Sequence, residues 1–165
     1  MQSAPRQAMP AVSAGRIDAE LSLRAAETAD YEPLFAWYRE ALRRPIDDLQ
    51  GWDEAARRAD FQRLMGMIPT FVVRAEAIEV GFVQVWPRAD VLHLVNIVIA
   101  VEARGRRIGA RVLAWLQQRA REAGGGVHLK VLRTNPGVLD FYRRAGFGIE
   151  RCTDEYWWLD WPAPG

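Results

Sequence analysis

The stretch Asn96-Ile97-Val98-Ile99-Ala100-Val101-Glu102-Ala103-Arg104-Gly105-Arg106-Arg107-Ile108-Gly109-Ala110-Arg111-Val112-Leu113 constrains this chain more than any other. An apolar, β-branched run stops at a short loop of glycine and arginine, and an amphipathic helical pattern begins at once. A strand feeding such a turn into a helix start makes an anion site, because free backbone N–H groups and the helix dipole point the same way there. Arg104, Arg106, Arg107 and Arg111 add positive charge. The pattern predicts a loop built to hold phosphates.

A chain of 165 residues suits one domain with a substantial core. Half of it is apolar and 26% is charged, as in ordinary globular proteins. The net charge of +1 gives no overall basic field, which argues against nucleic acid as a partner. Cys152 is the single cysteine, so an internal disulfide and a cysteine-based metal site are excluded, and no metal is expected. No apolar run approaches the ~20 residues that span a bilayer, so no membrane partner is expected. The first sixteen residues are rich in Ala, Pro, Ser and Gln. Residues 1–19 therefore read as a disordered tail, not a signal peptide, before a single domain over 20–162. A cytoplasmic location is the simplest inference. Seven tryptophans fit core packing, with Trp37, Trp52 and Trp86 as alternatives for lining an apolar pocket.

Hydrophobic periodicity gives the order of elements. Glu20 to Ala26 alternates like a half-buried strand. Thr28 or Asp30 can cap a helix carrying Leu34, Trp37, Tyr38, Ala41 and Leu42 on one face, and Pro45 is expected to end it. A polar link with Asp47 and Asp48 leads to a second helix over about Asp53 to Met65. Thr70 to Arg74 and Ile78 to Trp86 read as a hairpin, and Val91 to Val101 as a long apolar strand. A helix over about Ile108 to Glu122 stops at Gly124-Gly125-Gly126. Val127 to Leu132 is a strand, Pro136 starts another helix, and two closing strands span Phe147 to Cys152 and Glu155 to Trp161. The predicted class is α/β with a mixed sheet, ordered β-α-α-β-β-β-α-β-α-β-β. The strand, helix and strand around the arginine loop imply a right-handed parallel crossover.

Three features in this order resemble the GCN5-related N-acetyltransferases, the GNAT superfamily, over roughly Leu21 to Trp161. Arg104-Gly105-Arg106-Arg107-Ile108-Gly109-Ala110 is similar to that family's acetyl-CoA pyrophosphate loop. Asn135 is followed seven residues later by Tyr142, and Tyr142-Arg143-Arg144-Ala145-Gly146-Phe147 matches the family's Y-x-x-x-G-F ending. One departure is Arg107, where the loop pattern has its first glycine; a side chain there is costly if φ is positive. A narrower resemblance joins the chain to an uncharacterised acetyltransferase subgroup. It rests on Trp37 to Glu40, Gly51 to Ala55, and Asn96-Ile97.

The resemblance implies a GNAT fold with a central splayed parallel strand pair and acetyl-CoA as cofactor. The pantetheine arm would lie between strands ending near Ile99 and Leu132, against main-chain groups of Val98, Ile99 and Val101. The phosphates would sit on the amides from Arg104 to Ala110, that is Arg104, Gly105, Arg106, Arg107, Ile108, Gly109 and Ala110. Arg104, Arg106 and Arg111 would either neutralise charge or be solvated. The Asn matching Asn135 contacts the cofactor arm in the family, while at a helix start it can equally serve as a cap.

Amide formation needs a held thioester, a deprotonated amine and a proton for the departing thiolate. Tyr142, a phenol protonated at neutral pH, is the candidate acid, with packing beside Phe141 as the alternative. The base of histone-type relatives lies eleven residues before the loop's first Arg or Gln, which is His93 here. Histidine titrates near neutrality and can take the amine proton directly or through water. A hydrogen-bonded strand residue is the alternative. Asn96 can hold a water or the acceptor, and His128 is read as structural.

The expected acceptor is a small-molecule or peptide amine near the first two helices. Asp47, Asp48, Asp53 and Glu54 beside Trp52 suit a cation, and a solvated helix start explains them as well. The first function is an N-acetyltransferase using direct attack in a ternary complex. Alternatives are an inactive acyl-CoA-binding sensor and use of another acyl-CoA. Cys152 has no base or helix start placed to make it a nucleophile. The apolar Tyr156 to Trp161 run either covers its own sheet or pairs with another copy in a homodimer.

Overall fold

The computed structural model describes residues 8–163. Along the chain, β1 (Gly15–Arg16) and β2 (Leu21–Ala25) precede α1 (Tyr31–Gln50) and α2 (Glu54–Met67). Then come β3 (Thr70–Ala75), β4 (Ile78–Arg88), β5 (Val91–Ile99), α3 (Ile108–Glu122), β6 (Gly126–Leu132), α4 (Pro136–Arg144), β7 (Gly148–Cys152) and β8 (Tyr156–Trp161). Among the described residues these strands form one eight-stranded sheet, ordered β1-β2-β3-β4-β5-β6-β8-β7. Every neighbouring pair is antiparallel except β5 and β6, the parallel pair flanking α3.

The two faces of the sheet carry separate apolar layers. On one, α3 and α4 bury Val112, Leu113, Leu116, Leu139 and Tyr142 against Val83, Leu92, Val127 and Leu159. On the other, α1 and α2 bury Leu34, Phe35 and Phe61 against Val72, Phe82 and Val98. Phe61 meets Phe35 and Phe82 edge to face, at 5.7 and 5.6 Å between ring centroids. Each phenylalanine so enclosed contributes roughly 2–3 kcal/mol. Among the described residues no helix is long and apolar enough to cross a membrane.

Two features of this sheet position the site. Parallel pairing of β5 with β6 covers only Val91↔Gly126, Leu92↔Val127 and His93↔His128, after which the strands part. A bulge in the adjacent ladder occurs where Gln84 pairs with Asn96 but Val85 pairs with Leu94. That leaves Val95 as the extra residue, which bends β5 away from β6 and re-aims the side chains that follow.

The structure departs from the sequence expectations in three places. Helix α1 runs through Pro45 to Gln50, so Asp47 and Asp48 lie on the helix, not in a link. A proline inside a helix loses one N–H, but buried Ile46 holds the last turn on the core, and Gly51 ends it at φ 83 with its N–H on the Asp47 carbonyl (3.0 Å). The expected tail has residues 1–7 outside the described residues, while Met9 and Val12 are buried in the core. The Met9 N–H donates to the Ala89 carbonyl at 2.9 Å, and Gly15–Arg16 adds a strand. Isolated apolar residues and a two-residue bridge leave no periodicity to read. The long strand ends at Ile99, and Val101–Ala103 forms a 3-10 turn. Of the two alternatives for the Tyr156–Trp161 run, β8 lies within its own sheet, paired with β6 on one side and β7 on the other.

Candidate active site

The loop after β5 leaves a run of main-chain donors unpaired. The Arg104 guanidinium Nε–H donates to the Ile99 carbonyl at 3.1 Å and ties the loop to the strand end. Gly105 lies at φ 82 and Arg107, the residue before α3, at φ 58, with no side chain capping the helix. The first main-chain bond of α3 runs from the Arg111 N–H to the Arg107 carbonyl (3.0 Å). Among the described residues, none of the backbone N–H groups of 105–110 meets a protein acceptor. These amides converge at the positive end of a fifteen-residue helix.

Beside them opens a cleft of about 620 Å³ between α3 and α4, lined by Ile97, Ile99, Gly105, Gly109, Phe141 and Arg144 among others. It joins the unpaired amides to β5 where that strand has left β6. Phe141 and Arg144 were not singled out by sequence reasoning, although both flank Tyr142. Ile108 and Ala110 line the same cleft, whereas the Val98 side chain turns to the opposite layer and Val101 is exposed on the 3-10 turn.

The arginines are not equivalent. Arg111 is clamped by Asp18 (2.8 Å) and Glu20 (3.0 Å), and Arg106 also pairs with Glu20. Arg104 holds the strand end, and exposed Arg107 forms no ion pair among the described residues. Of the three arginines expected either to neutralise charge or to be solvated, Arg106 and Arg111 pair with acidic residues of the turn before β2.

Asn135 precedes α4, and its side chain makes no capping bond, so capping does not account for it. Its main chain closes the turn: its N–H donates to the Leu132 carbonyl at 2.9 Å. Tyr142 lies in the last turn of α4, packed against Phe141 and Phe147, and burial pushes its phenol well above the ordinary tyrosine range. Such a phenol keeps its proton at neutral pH.

On the opposite face, four strands contribute one side chain each to a row. Trp86 of β4 meets His93 of β5 (6.4 Å between ring centroids), and His93 meets His128 of β6 (5.7 Å). His128 Nε2 lies 2.6 Å from Asp160 Oδ1 of β8. Burial lowers the His93 pKa, and the nearby charges of His128 and Arg88 act in the same direction. His93 is therefore neutral at neutral pH, the form that accepts a proton. His128, read as structural from the sequence, belongs to this row. The pairing of strands brings it there, and no spacing in the sequence reveals that.

Asn96 ends a directed hydrogen-bond chain. Its Nδ2–H donates to Gln84 Oε1 (2.7 Å), Gln84 Nε2–H donates to Thr70 Oγ1 (3.2 Å), and Thr70 donates to the Ile68 carbonyl (3.0 Å). Gln84 is fully buried, so this chain satisfies it and fixes the Asn96 amide beside the gap.

Three of the four acidic residues singled out near α1 and α2 are occupied, and Asp48 forms no ion pair among the described residues. Asp53 accepts the Ala56 N–H as the α2 cap (3.0 Å), and Asp47 accepts the Trp52 N–H (3.0 Å). Glu54 takes Arg39 (2.6 Å), Arg58 (3.3 Å) and the Trp52 indole (2.8 Å). Trp37 and Trp52 pack with the α1–α2 layer, leaving Trp86 on the open face.

With this geometry described, comparison with known proteins is informative. The model of the acetyltransferase (GNAT) family matches residues 29–147. The PaiA N-acetyltransferase of Thermoplasma acidophilum, solved in complex with coenzyme A, superposes with a TM-score of 0.69 at 17% identity, covering 86% of this chain and 98% of that one. The ribosomal-protein-S18-alanine N-acetyltransferase of Escherichia coli gives 0.63 at 18% identity, over 88% and 95%. YncA of Salmonella typhimurium, a putative acetyltransferase with its cofactor acetyl-CoA, gives 0.57 at 15%, over 87% and 94%. At these identities the structures bear on fold alone. No curated protein matches the chain.

Proposed function

The chain belongs to the GNAT acetyltransferase family, and from that premise we propose that it transfers an acetyl group from acetyl-CoA to a primary amine of a small molecule or peptide. Transfer is by direct attack in a ternary complex. The observation that carries this is the meeting of the unpaired amides of 105–110 with a strand pair that separates after His93 and His128.

The residues present fit the cofactor. Amides 105–110 and Arg107 suit a pyrophosphate; the open edge of β5, through the main chain of Val98 and Ile99 with Val101 beyond, suits an amide-bearing arm; and the Asn135 side chain, which makes no capping bond, is free to meet that arm. Bound acetyl-CoA would supply an activated thioester carbonyl. His93, held neutral, accepts the proton of the amine. Asn96, fixed by Gln84, orients the amine or its water. Tyr142 keeps a proton for the departing thiolate. Cys152 is exposed on the edge strand β7, away from this row, which supports direct attack over a covalent route.

Calorimetry with coenzyme A and a thiol-release assay with acetyl-CoA and a panel of amines test the proposal. Saturable uptake and amine-dependent thiol release are expected. Uptake without release from any amine would identify the inactive acyl-CoA-binding module instead, and no uptake at all would overturn both.

A further inference from the structure

The next row on the open face differs in charge from its surroundings. Lys130 of β6 is two residues beyond His128 and points to the same side, roughly 7 Å along the strand. It pairs in register with Trp158 of β8, which pairs in turn with Arg151 of β7. Lys130 Nζ stands 4.2 Å from the Tyr156 ring centroid and 5.3 Å from that of Trp158, and the Arg151 guanidinium lies 4.5 Å over the Trp158 ring.

Neither cation has a carboxylate. Among the described residues, Lys130 and Arg151 form no ion pair; in the adjoining row Asp160 Oδ1 is buried against His128 Nε2 (2.6 Å) without a hydrogen-bond partner, and Asp60 of α2 pairs with Arg57 (3.0 Å). The Trp158 indole Nε1 is buried and meets no acceptor. A buried donor without a partner is costly and rare in a native protein. Here it coincides with two unpaired cations, giving three donors and no acceptor in one patch. Of the carboxylates expected to receive a cation, Asp47, Asp53 and Glu54 are engaged, while Asp48 is exposed on α1 and forms no ion pair among the described residues. The charge available beside the gap is positive.

Resting on the acyl-transfer reading, we propose that the acceptor is an amine bearing an anionic group, a carboxylate or a phosphate, received by Lys130, Arg151 and Trp158. The amine lies at His93 and Asn96 in the gap, and the anion lies one row further along β6. Stacking on the rings fixes the cationic heads while leaving their N–H groups free to donate. The aromatic floor under them takes the apolar part that links the amine to the anion.

Three matched pairs of probes separate the sources of such an anion: tryptophan against tryptamine, Gly-Glu-amide against Gly-Gln-amide, and O-phosphoethanolamine against ethanolamine. Calorimetry with and without coenzyme A reads their binding independently of turnover. The anionic member of at least one pair is expected to bind tenfold or more tightly than its partner. Lys130→Met and Arg151→Met, both at exposed positions, should each reduce that preference, and Lys130→Arg should retain it. The proposal is overturned if the members of every pair bind alike, if the neutral or cationic member binds better, or if the preference survives both substitutions. Failure of the acyl-transfer reading would look different: no coenzyme A uptake, or an anion preference without thiol release.

Discussion

His93 and His128 face each other on the last rung that joins β5 to β6, their ring planes 81° apart. Every structural element of the proposed site is measured from that rung. The gap starts beyond it, the row from Trp86 to Asp160 runs through it, and the Asn96 amide lies past the bulge that follows.

The lowered pKa of His93 has a calculable sign. Its ordinary value is 6.5, and burial, with His128 and Arg88 nearby, holds the folded value lower. In the interval between, the unfolded chain binds more protons than the folded one, so stability rises with pH there and levels off above about 6.5. Resistance of the wild type to denaturant should fall as pH falls from about 7.5 to about 5.5, and His93→Gln should reduce that slope. With only two histidines in the chain, imidazole resonances followed by NMR give the same answer directly. Thiol release that needs neutral His93 should fall on the acid side only.

Tyr142→Phe keeps the packing against Phe141 and Phe147 and deletes one hydroxyl. Coenzyme A affinity should change little, while thiol release at saturating substrate should fall about 10²-fold. Equal rates would leave Tyr142 a packed aromatic and nothing more.

Arg107 sits at φ 58, a left-handed conformation that costs a side chain roughly 1 kcal/mol. Arg107→Gly should therefore raise stability by about 1 kcal/mol in chemical denaturation. Coenzyme A binding should weaken several-fold, because the one loop arginine without a protein partner is lost. A variant neither stabler nor weaker in binding would remove Arg107 from both accounts.

Gly81 tests how β4 is held against β5. A Cβ there would lie 2.1 Å from the Val98 carbonyl oxygen, which is backbone and cannot rotate away. Gly81→Ala should cost about 2–3 kcal/mol in unfolding free energy. Coenzyme A uptake should weaken with it, since Val98 lies on the strand that borders the gap.

Much of this fold is legible in the residues. The α3 pattern of Ile108, Val112, Leu113, Leu116 and Ala120 appears as the buried face of a helix spanning the expected Ile108–Glu122, and the glycine stop is required because a Cβ on Gly125 would meet the Asp90 carbonyl at 2.0 Å. Pro45 misleads because local propensity competes with the burial of Ile46 and loses. The unpaired donors of the loop are legible because they are main-chain groups within one short segment. The His93–His128–Asp160 row and the Asp18–Arg111 clamp join residues far apart in sequence, and only strand order brings them together. Likewise the acidic residues of α1 and α2 read as an acceptor site until their partners Trp52, Ala56 and Arg39 are seen.

Beyond His93, β5 is attached to the sheet along a single side. It lies in the middle of the eight strands, yet hydrogen exchange should treat it as a rim. Amides of residues 94–99 that turn toward β6 should lose their protons to deuterium as readily as those of outermost β7. Those turned toward β4 should be retained far longer, so one strand should carry fast and slow sites side by side.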